Sequence, residues 1–431
     1  MNFLYDYFHS MLERIKYGKW GLLLLPILFS IIGIYIEIST FNGTNIPFEN
    51  IAIKNVLIPS AFFVFGFFLS VSLWRRYIWR FSAHEKILWN KDGFSFAFVL
   101  FAFAVALQIS AIWVDAGWDK VYVSDSKHKG YYTEAELKSF GGYKNEIVML
   151  KRQLTIGSVS FQVGEIVKVF FMIFVAKLLT DMKARGQMKL CRKFFILPLL
   201  AILPVGILAF CMPNYSMAMI FVFVLFFMIL IQEMDFKSRL PLLALIALLV
   251  FVVVLISNLD KGNRLVEIHG INRVWAYFHE GGTGNEQQNE ALQAMADGGI
   301  IGKGLDKGTI KLRLFGARND FAYSILGEEL GMWLLLPITL AMFGFLFSCF
   351  WIAARLKVEN RDAMLAQNIA WGVAIIFSLN ILFHIGVNLR LLPNTGQPLS
   401  FVSSGGANLT MNFFLMGMLV QISSFNKGEP A

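Results

Sequence analysis

The chain has 431 residues, of which 57% are hydrophobic, 43 are Phe and only 16% are charged. That is too apolar for a soluble globule and matches a polytopic membrane protein. The net charge of +9 would suit a nucleic-acid binder, but the charge bias of short membrane loops accounts for it, and no nucleic-acid partner is expected.

Residues 1–19 are amphipathic and carry Arg14, Lys16 and Lys19. The apolar run that follows has no small-residue cleavage site, so no cleaved signal peptide is expected. A helical span needs about 20 apolar residues to cross about 30 Å of hydrocarbon. About ten runs meet this length: residues 20–36, 56–74, 94–114, 161–179, 194–212, 215–231, 240–256, 332–353, 369–387 and 405–423. They are continuous rather than alternating. The expected fold class is therefore all-α: a polytopic integral membrane protein with large outer-face loops, forming one membrane domain over 1–431. Cys191, Cys211 and Cys349 lie in or beside these runs without metal or redox spacing and read as packing residues.

The short loops set the orientation. Arg75, Arg76, Arg80, Lys86 and Lys91 fall on one side. So do Lys183, Arg185, Lys189, Arg192, Lys193, Lys237, Arg239, Arg355, Lys357 and Arg361. Only Lys54 and Arg390 fall in short loops on the other. The positive-inside rule then puts both termini in the cytoplasm and the long loops 115–160 and 257–331 outside. In the first loop, Thr133-Glu134-Ala135-Glu136 predicts a short helix over 133–139 from a Thr N-cap and an acidic first turn, or else a flexible loop. No internal repeat is visible, which disfavours an inverted-repeat transporter.

Four segments carry candidate chemistry. Asp320, in Arg318-Asn319-Asp320-Phe321, can serve as a general base towards a hydroxyl. It can also hold a divalent cation such as Mg or Mn that neutralises a diphosphate leaving group, or it can simply cap a helix. Glu328 and Glu329 lie near the start of the eighth run, where carboxylates are costly unless paired or functional; helix-dipole stabilisation is the competing account. Glu165 and Lys168 are three apart and share a helix face, which predicts an ion pair turned to the bundle interior. With Lys151 and Arg152 upstream, they also form a basic patch suited to a phosphate or diphosphate. The turn-forming stretch 391–406 reads as a cavity-lining re-entrant segment or a tight loop. His384, alone in the ninth run, reads as a helix–helix hydrogen-bond partner.

These segments resemble the bacterial SEDS family (shape, elongation, division, sporulation), which includes FtsW and RodA. LPNTGQPLSFVSSGG, from Leu392 to Gly406, is similar to the family's LPxTGxPLPxxSxGG. NDFAYSILGEELG, from Asn319, is similar to TDFIFAxxxEELG. KRQLTIGSVSFQVGEIVK, from Lys151, and GGIIGKGL, from Gly298, match two further motifs in the family's order. The resemblance covers residues 151–423 and implies a glycosyltransferase of the bacterial cytoplasmic membrane that polymerises lipid II into peptidoglycan strands for division or elongation. It implies Asp320 as the catalytic residue, Arg152 and Lys168 as diphosphate partners, and Glu165 beside Lys168 as the polar pair of the fourth span. Arg318, Glu328, Pro393, Gly396, Ser403, Gly405 and Gly406 are further candidates for substrate contact. The implied partners are a class B penicillin-binding protein transpeptidase and other divisome or elongasome membrane proteins. The chain departs from the family pattern at Val163-Gly164, Asn214 and Ser404. A flippase for lipid-linked precursors and a non-catalytic scaffold are the alternatives. Clustering of the polar residues at one face favours chemistry there over passage across the bilayer.

Overall fold

The computed structural model describes residues 20–41, 96–114, 120–124, 129–133, 153–156, 159–184, 215–233, 286–314, 316–403 and 406–423, with isolated positions 204 and 247. Nine α-helices are described: α1 (Trp20–Phe41), α2 (Phe96–Val114), α3 (Val163–Ala184), α4 (Tyr215–Ile231), α5 (Glu286–Gly298), α6 (Ala322–Leu330), α7 (Met332–Arg355), α8 (Arg361–Asn388) and α9 (Gly406–Ser423). Seven of the expected spans coincide with α1–α4 and α7–α9. The expected spans 56–74, 194–212 and 240–256 lie outside the described residues.

The helical architecture carries one addition. Two antiparallel hairpins precede α3: β1 (Lys120–Ser124) with β2 (Lys129–Thr133), and β3 (Gln153–Ile156) with β4 (Val159–Gln162). In the first, Tyr122 pairs with Tyr131 and Lys120 with Thr133. Thr133 ends a strand; the expected helix over 133–139 otherwise falls on residues 134–139, which lie outside the described set. The β-branched and aromatic residues of KVYVS and KGYYT favour these strands.

α3 is the hub of the bundle. It is buried on nearly every side and packs against α2, α4, α8 and α9. Phe101 of α2 stacks on Phe174 at 4.5 Å, and Phe221 of α4 stacks on Phe171 at 5.0 Å. A second aromatic cluster joins α7, α8 and α9: Phe401 lies 5.6 Å from Phe345, 5.2 Å from Phe377 and 5.0 Å from Phe413. Phe401 belongs to the 391–403 segment and holds φ at 66°. A bulky side chain in the left-handed region needs such over-determined packing, and the three rings supply it.

α7 and α8 are long and apolar enough to cross a membrane. α7 has two faces. Leu335, Met342, Phe345 and Cys349 are buried, while Trp333, Leu336, Leu340, Phe343 and Phe347 are bare at helical spacing. At the end of the bundle formed by Ala184, Ile231 and Arg361, Asp181 accepts from Lys177 (2.8 Å) and Arg361 (2.6 Å). Beside it Asn368 donates to Thr180 and accepts from Gln232. The opposite end carries α5, α6 and the 391–403 segment.

Candidate active site

Asp320 stands in a turn, its amide donating to the Gly316 carbonyl at 2.8 Å. Its half-buried side chain lies between two glycines. The carboxylate is 3.3 Å from where a β-carbon on Gly316 would sit and 3.5 Å from the same point on Gly396. Both glycines have positive φ, 79° and 61°. Two motifs far apart in the sequence thus meet at one carboxylate.

Asp320 does not occupy the N-cap position of the helix that follows it. α6 begins at Ala322, and Phe321 occupies its N-cap position without a side-chain cap. A helix leaves its first amides short of backbone partners, and two of them here bond α8. The Tyr323 amide donates to His384 Nε2 at 3.4 Å, and the Ser324 amide and Oγ donate to Asn388 Oδ1 at 3.0 and 2.6 Å. Asn388 Nδ2 donates to the Asp320 carbonyl at 3.0 Å and to the His384 carbonyl at 2.8 Å. His384 Nδ1 lies 2.8 Å from the Gln397 carbonyl. A carbonyl at Nδ1 and an amide at Nε2 define the Nδ1–H tautomer of a neutral imidazole. His384 is the hydrogen-bond partner its position suggested, joining α8 to both α6 and the 391–403 segment. Asn388 was missed; a polar residue at the end of a span gives no local sign of such a role.

The 391–403 segment is held on both sides. Ser403 Oγ donates to the Asn319 carbonyl at 2.6 Å and accepts from the Leu399 amide at 2.8 Å. Asn394 Oδ1 accepts from the Gly396 amide at 3.1 Å, and its Nδ2 donates to Gln287 of α5. Gln288 donates to the carbonyls of Val387 and Leu392. Pro393 is half-buried at the start of this segment. Gly406 opens α9, while Gly405 and Arg152 lie outside the described residues. Arg318 is half-buried two residues before Asp320.

Glu328 and Glu329 sit on α6, separated from α7 by Gly331, and both are buried. Glu328 Oε1 accepts from Lys303 Nζ (2.8 Å) and from the Thr309 and Ile310 amides (2.8 and 3.1 Å). Burial pushes this carboxyl up, but the Lys303 hydrogen bond, the two amides and the Lys303 charge outweigh it and hold the group below its ordinary 4.5. Hydrogen bonding to Glu328, against desolvation and with help from Asp297, raises Lys303. Glu329 Oε1 accepts from Lys311 Nζ at 2.7 Å and Ser39 Oγ at 2.8 Å, and its Oε2 accepts from Tyr35 at 2.6 Å. Lys311 also bonds Asp306 at 2.7 Å. Both glutamates are therefore paired, and they tie the 303–311 loop and α1 to the helix that follows Asp320.

Glu165 and Lys168 form the expected pair, 2.7 Å apart and buried inside the bundle on α3. Glu165 Oε1 has no hydrogen-bond partner among the described residues.

A bundle of apolar helices with a half-buried carboxylate cradled by glycines at one end defines a helical membrane protein with an enzyme-like site. The chain belongs to the FtsW/RodA/SpoVE family of cell cycle proteins, whose model matches residues 140–428. It is 27% identical over 274 residues to a probable peptidoglycan glycosyltransferase FtsW of Coxiella burnetii, covering 63% of this chain and 71% of that one. It is 30% identical over 296 residues to the FtsW of Thiomicrospira cyclica, also named a probable peptidoglycan glycosyltransferase, covering 65% and 70%. Its fold is similar to a chain of a peptidoglycan synthase complex that coordinates polymerization and crosslinking, with a TM-score of 0.64 at 18% identity over 96% of this chain and 99% of that one. It is also similar to the rod shape determining protein RodA of Thermus thermophilus, with a TM-score of 0.53 at 18% identity over 96% and 98%.

Proposed function

We propose that this protein is a peptidoglycan glycosyltransferase that joins lipid-linked disaccharide units, lipid II, into glycan strands. The observation that carries the reading is the convergence of Asp320, Gly316 and Gly396 at one carboxylate, in a family whose curated relatives are named for that activity. In this reading Asp320 accepts the proton of the acceptor sugar's 4-hydroxyl. That oxygen bonds to C1 of the donor sugar as the C1–oxygen bond to the undecaprenyl diphosphate breaks, and the diphosphate leaves with the electron pair. The small, β-carbon-free surfaces of Gly316 and Gly396 leave room for a sugar oxygen within reach of the base. Asn388, His384 and Ser403 position the backbone on either side of it.

A divalent cation fits this site in one way. Among the described residues no three His, Cys, Asp or Glu side chains gather to hold a metal. A Mg or Mn ion at Asp320 would rest on one protein carboxylate, with water and diphosphate oxygens as its other ligands, as Mg often does. It would supply charge neutralisation of the leaving group. Arg152 and Arg318 remain the proposed contacts for diphosphate and substrate, whereas Lys168 is held by Glu165 inside the bundle, both fully buried in this structure. The orientation with Asp320 outside and both termini cytoplasmic follows from the short-loop charges. A class B transpeptidase is the proposed partner, since the similar solved chain belongs to a synthase complex.

The test is glycan formation from purified lipid II by wild type and Asp320→Ala, each with and without the co-purified cognate transpeptidase. Polymer from wild type alone, at equal folding and partner binding, is the expected result. Equal polymer from both would remove Asp320 from the mechanism. No polymer from either, even with the partner, would favour a scaffold or a flippase.

A further inference from the structure

After α5 the chain reverses in a tight turn. The Gly302 amide donates to the Gly298 carbonyl at 2.8 Å, with Gly299 and Gly302 at φ 56° and 86°. Turn tips in water favour Gly, Asn, Asp, Pro and Ser. Here the tip is Ile300 and Ile301, 75% and 79% exposed, more than any other large hydrophobic side chain among the described residues. Trp333, whose amide bonds the Ile300 carbonyl, is also bare.

The backbone fixes the level of this tip. The Met332 amide donates to the Gly299 carbonyl at 3.0 Å and the Trp333 amide to the Ile300 carbonyl at 3.1 Å. The turn is thus bonded to the first turn of α7. α7 has 24 residues, about 36 Å at about 1.5 Å per residue, against a hydrocarbon core of about 30 Å. Its first turn therefore reaches the interface, where a bare Trp333 is at home. The bare stripe of α7 starts at that residue and runs on through Leu336, Leu340, Phe343 and Phe347. Ile300 and Ile301 continue it.

We propose that the 299–302 turn inserts Ile300 and Ile301 into the lipid of the leaflet on the Asp320 side and anchors the site-bearing loop to the membrane. The proposal rests on α7 being a membrane span and not on the identity of the reaction. The anchor is coupled to the site through the residues that follow it. The Lys303 and Gly304 amides donate to the Glu328 and Glu329 carbonyls at 2.9 and 3.0 Å, and Lys303 Nζ bonds the Glu328 carboxylate.

The test uses the full chain in lipid nanodiscs, with Cys191, Cys211 and Cys349 replaced by Ala and a nitroxide attached at Ile301→Cys. Collisions with oxygen, which dissolves in lipid, are compared with collisions with a water-soluble nickel chelate. Leu340→Cys, midway along α7, is the reference for a lipid-facing position, and Ile300→Cys repeats the measurement on the neighbouring tip residue. Oxygen collisions exceeding nickel collisions several-fold at both tip positions, as at Leu340, are expected. Nickel dominance at the tip with oxygen dominance at Leu340 would overturn the anchor. Nickel dominance at all three would overturn the span on which it rests. Shielding of the tip from both reagents would mean that protein covers the turn, and would also overturn the proposal.

Discussion

The carboxylate of Asp320 lies 3.5 Å from the point a β-carbon on Gly396 would occupy. A methyl group there would touch the carboxylate, and φ of 61° at Gly396 is a conformation that costs an L-residue about 1–2 kcal/mol. Misplacing a reacting group by about 1 Å costs about a hundredfold in rate. Gly396→Ala should therefore lower polymer formation by about tenfold or more, with a modest fall in melting temperature. Gly344→Ala, mid-helix in α7 where a β-carbon meets nothing within 4 Å, should leave activity unchanged and, if anything, raise the melting temperature. Equal activity in the two variants would separate Gly396 from the site.

Asn388 holds the backbone on either side of Phe321. Its Nδ2 donates to the Asp320 carbonyl and its Oδ1 accepts from Ser324. Asn388→Ala leaves buried polar partners unmet, at about 1–3 kcal/mol for each unsatisfied group. Both melting temperature and polymer yield should fall. Asn388→Asp keeps the acceptor for Ser324 and removes the donor to the Asp320 and His384 carbonyls. If the aspartate variant melts nearer to wild type yet remains inactive, the Asn388 Nδ2 donor that bonds the Asp320 and His384 carbonyls is the element that activity needs.

Much of this arrangement was legible in the sequence, for reasons that differ by element. α4 coincides with the expected run 215–231 because an apolar stretch stands between Pro213-Asn214 and Gln232-Glu233. The Glu165–Lys168 pair follows from i,i+3 spacing alone. α8 begins earlier than the run 369–387, at Arg361, because its first turns are polar and Asn360 caps it by accepting from the Ala363 amide; hydropathy does not register a cap. The break between α6 and α7 was not anticipated. It depends on Gly331 at φ 70°, where any side chain would collide with the Gly302 amide and the Ile300 carbonyl, a contact between segments distant in sequence. The partners of Glu328 and Glu329 were hidden for the same reason. Nothing local marks Lys303 and Lys311 as partners until the fold brings them to α6.

The Glu328–Lys303 pair should give the loop a pH window. Glu328 is held below its ordinary 4.5, so its contribution is present above that value and is lost as pH falls through the depressed one. Lys303 is raised above 10.5, so its contribution is present below that value and is lost as pH rises through the raised one. Charge-assisted hydrogen bonds contribute about 1.5–3 kcal/mol, and the partial exposure of Lys303 puts this pair toward the low end. The melting-temperature difference between wild type and Glu328→Gln should be flat from about pH 6 to 9 and shrink in acid. A difference that stays constant down to pH 3 would mean that the charge on Glu328 does not stabilise the loop.

Lys311 carries a heavier load than Lys303 because it is buried, and because Glu329 depends on it. Its Nζ bonds Glu329, Asp306 and Ser39 together, and Tyr35 of α1 closes the group on Glu329 Oε2. Removing one partner of a buried pair leaves an uncompensated charge, at about 3–5 kcal/mol. Replacing both by neutral groups of similar size is often close to neutral. Lys311→Met should therefore lower the melting temperature strongly, Glu329→Gln should do so as well, and the double variant should recover much of the loss. Strict additivity would show that the two side chains do not act as a pair. Recovery of stability without recovery of polymer formation would separate the two roles of this cluster. The fold needs only that the charges balance, whereas the site would need the hydrogen-bonded link from α1 through Glu329 to the helix behind Asp320.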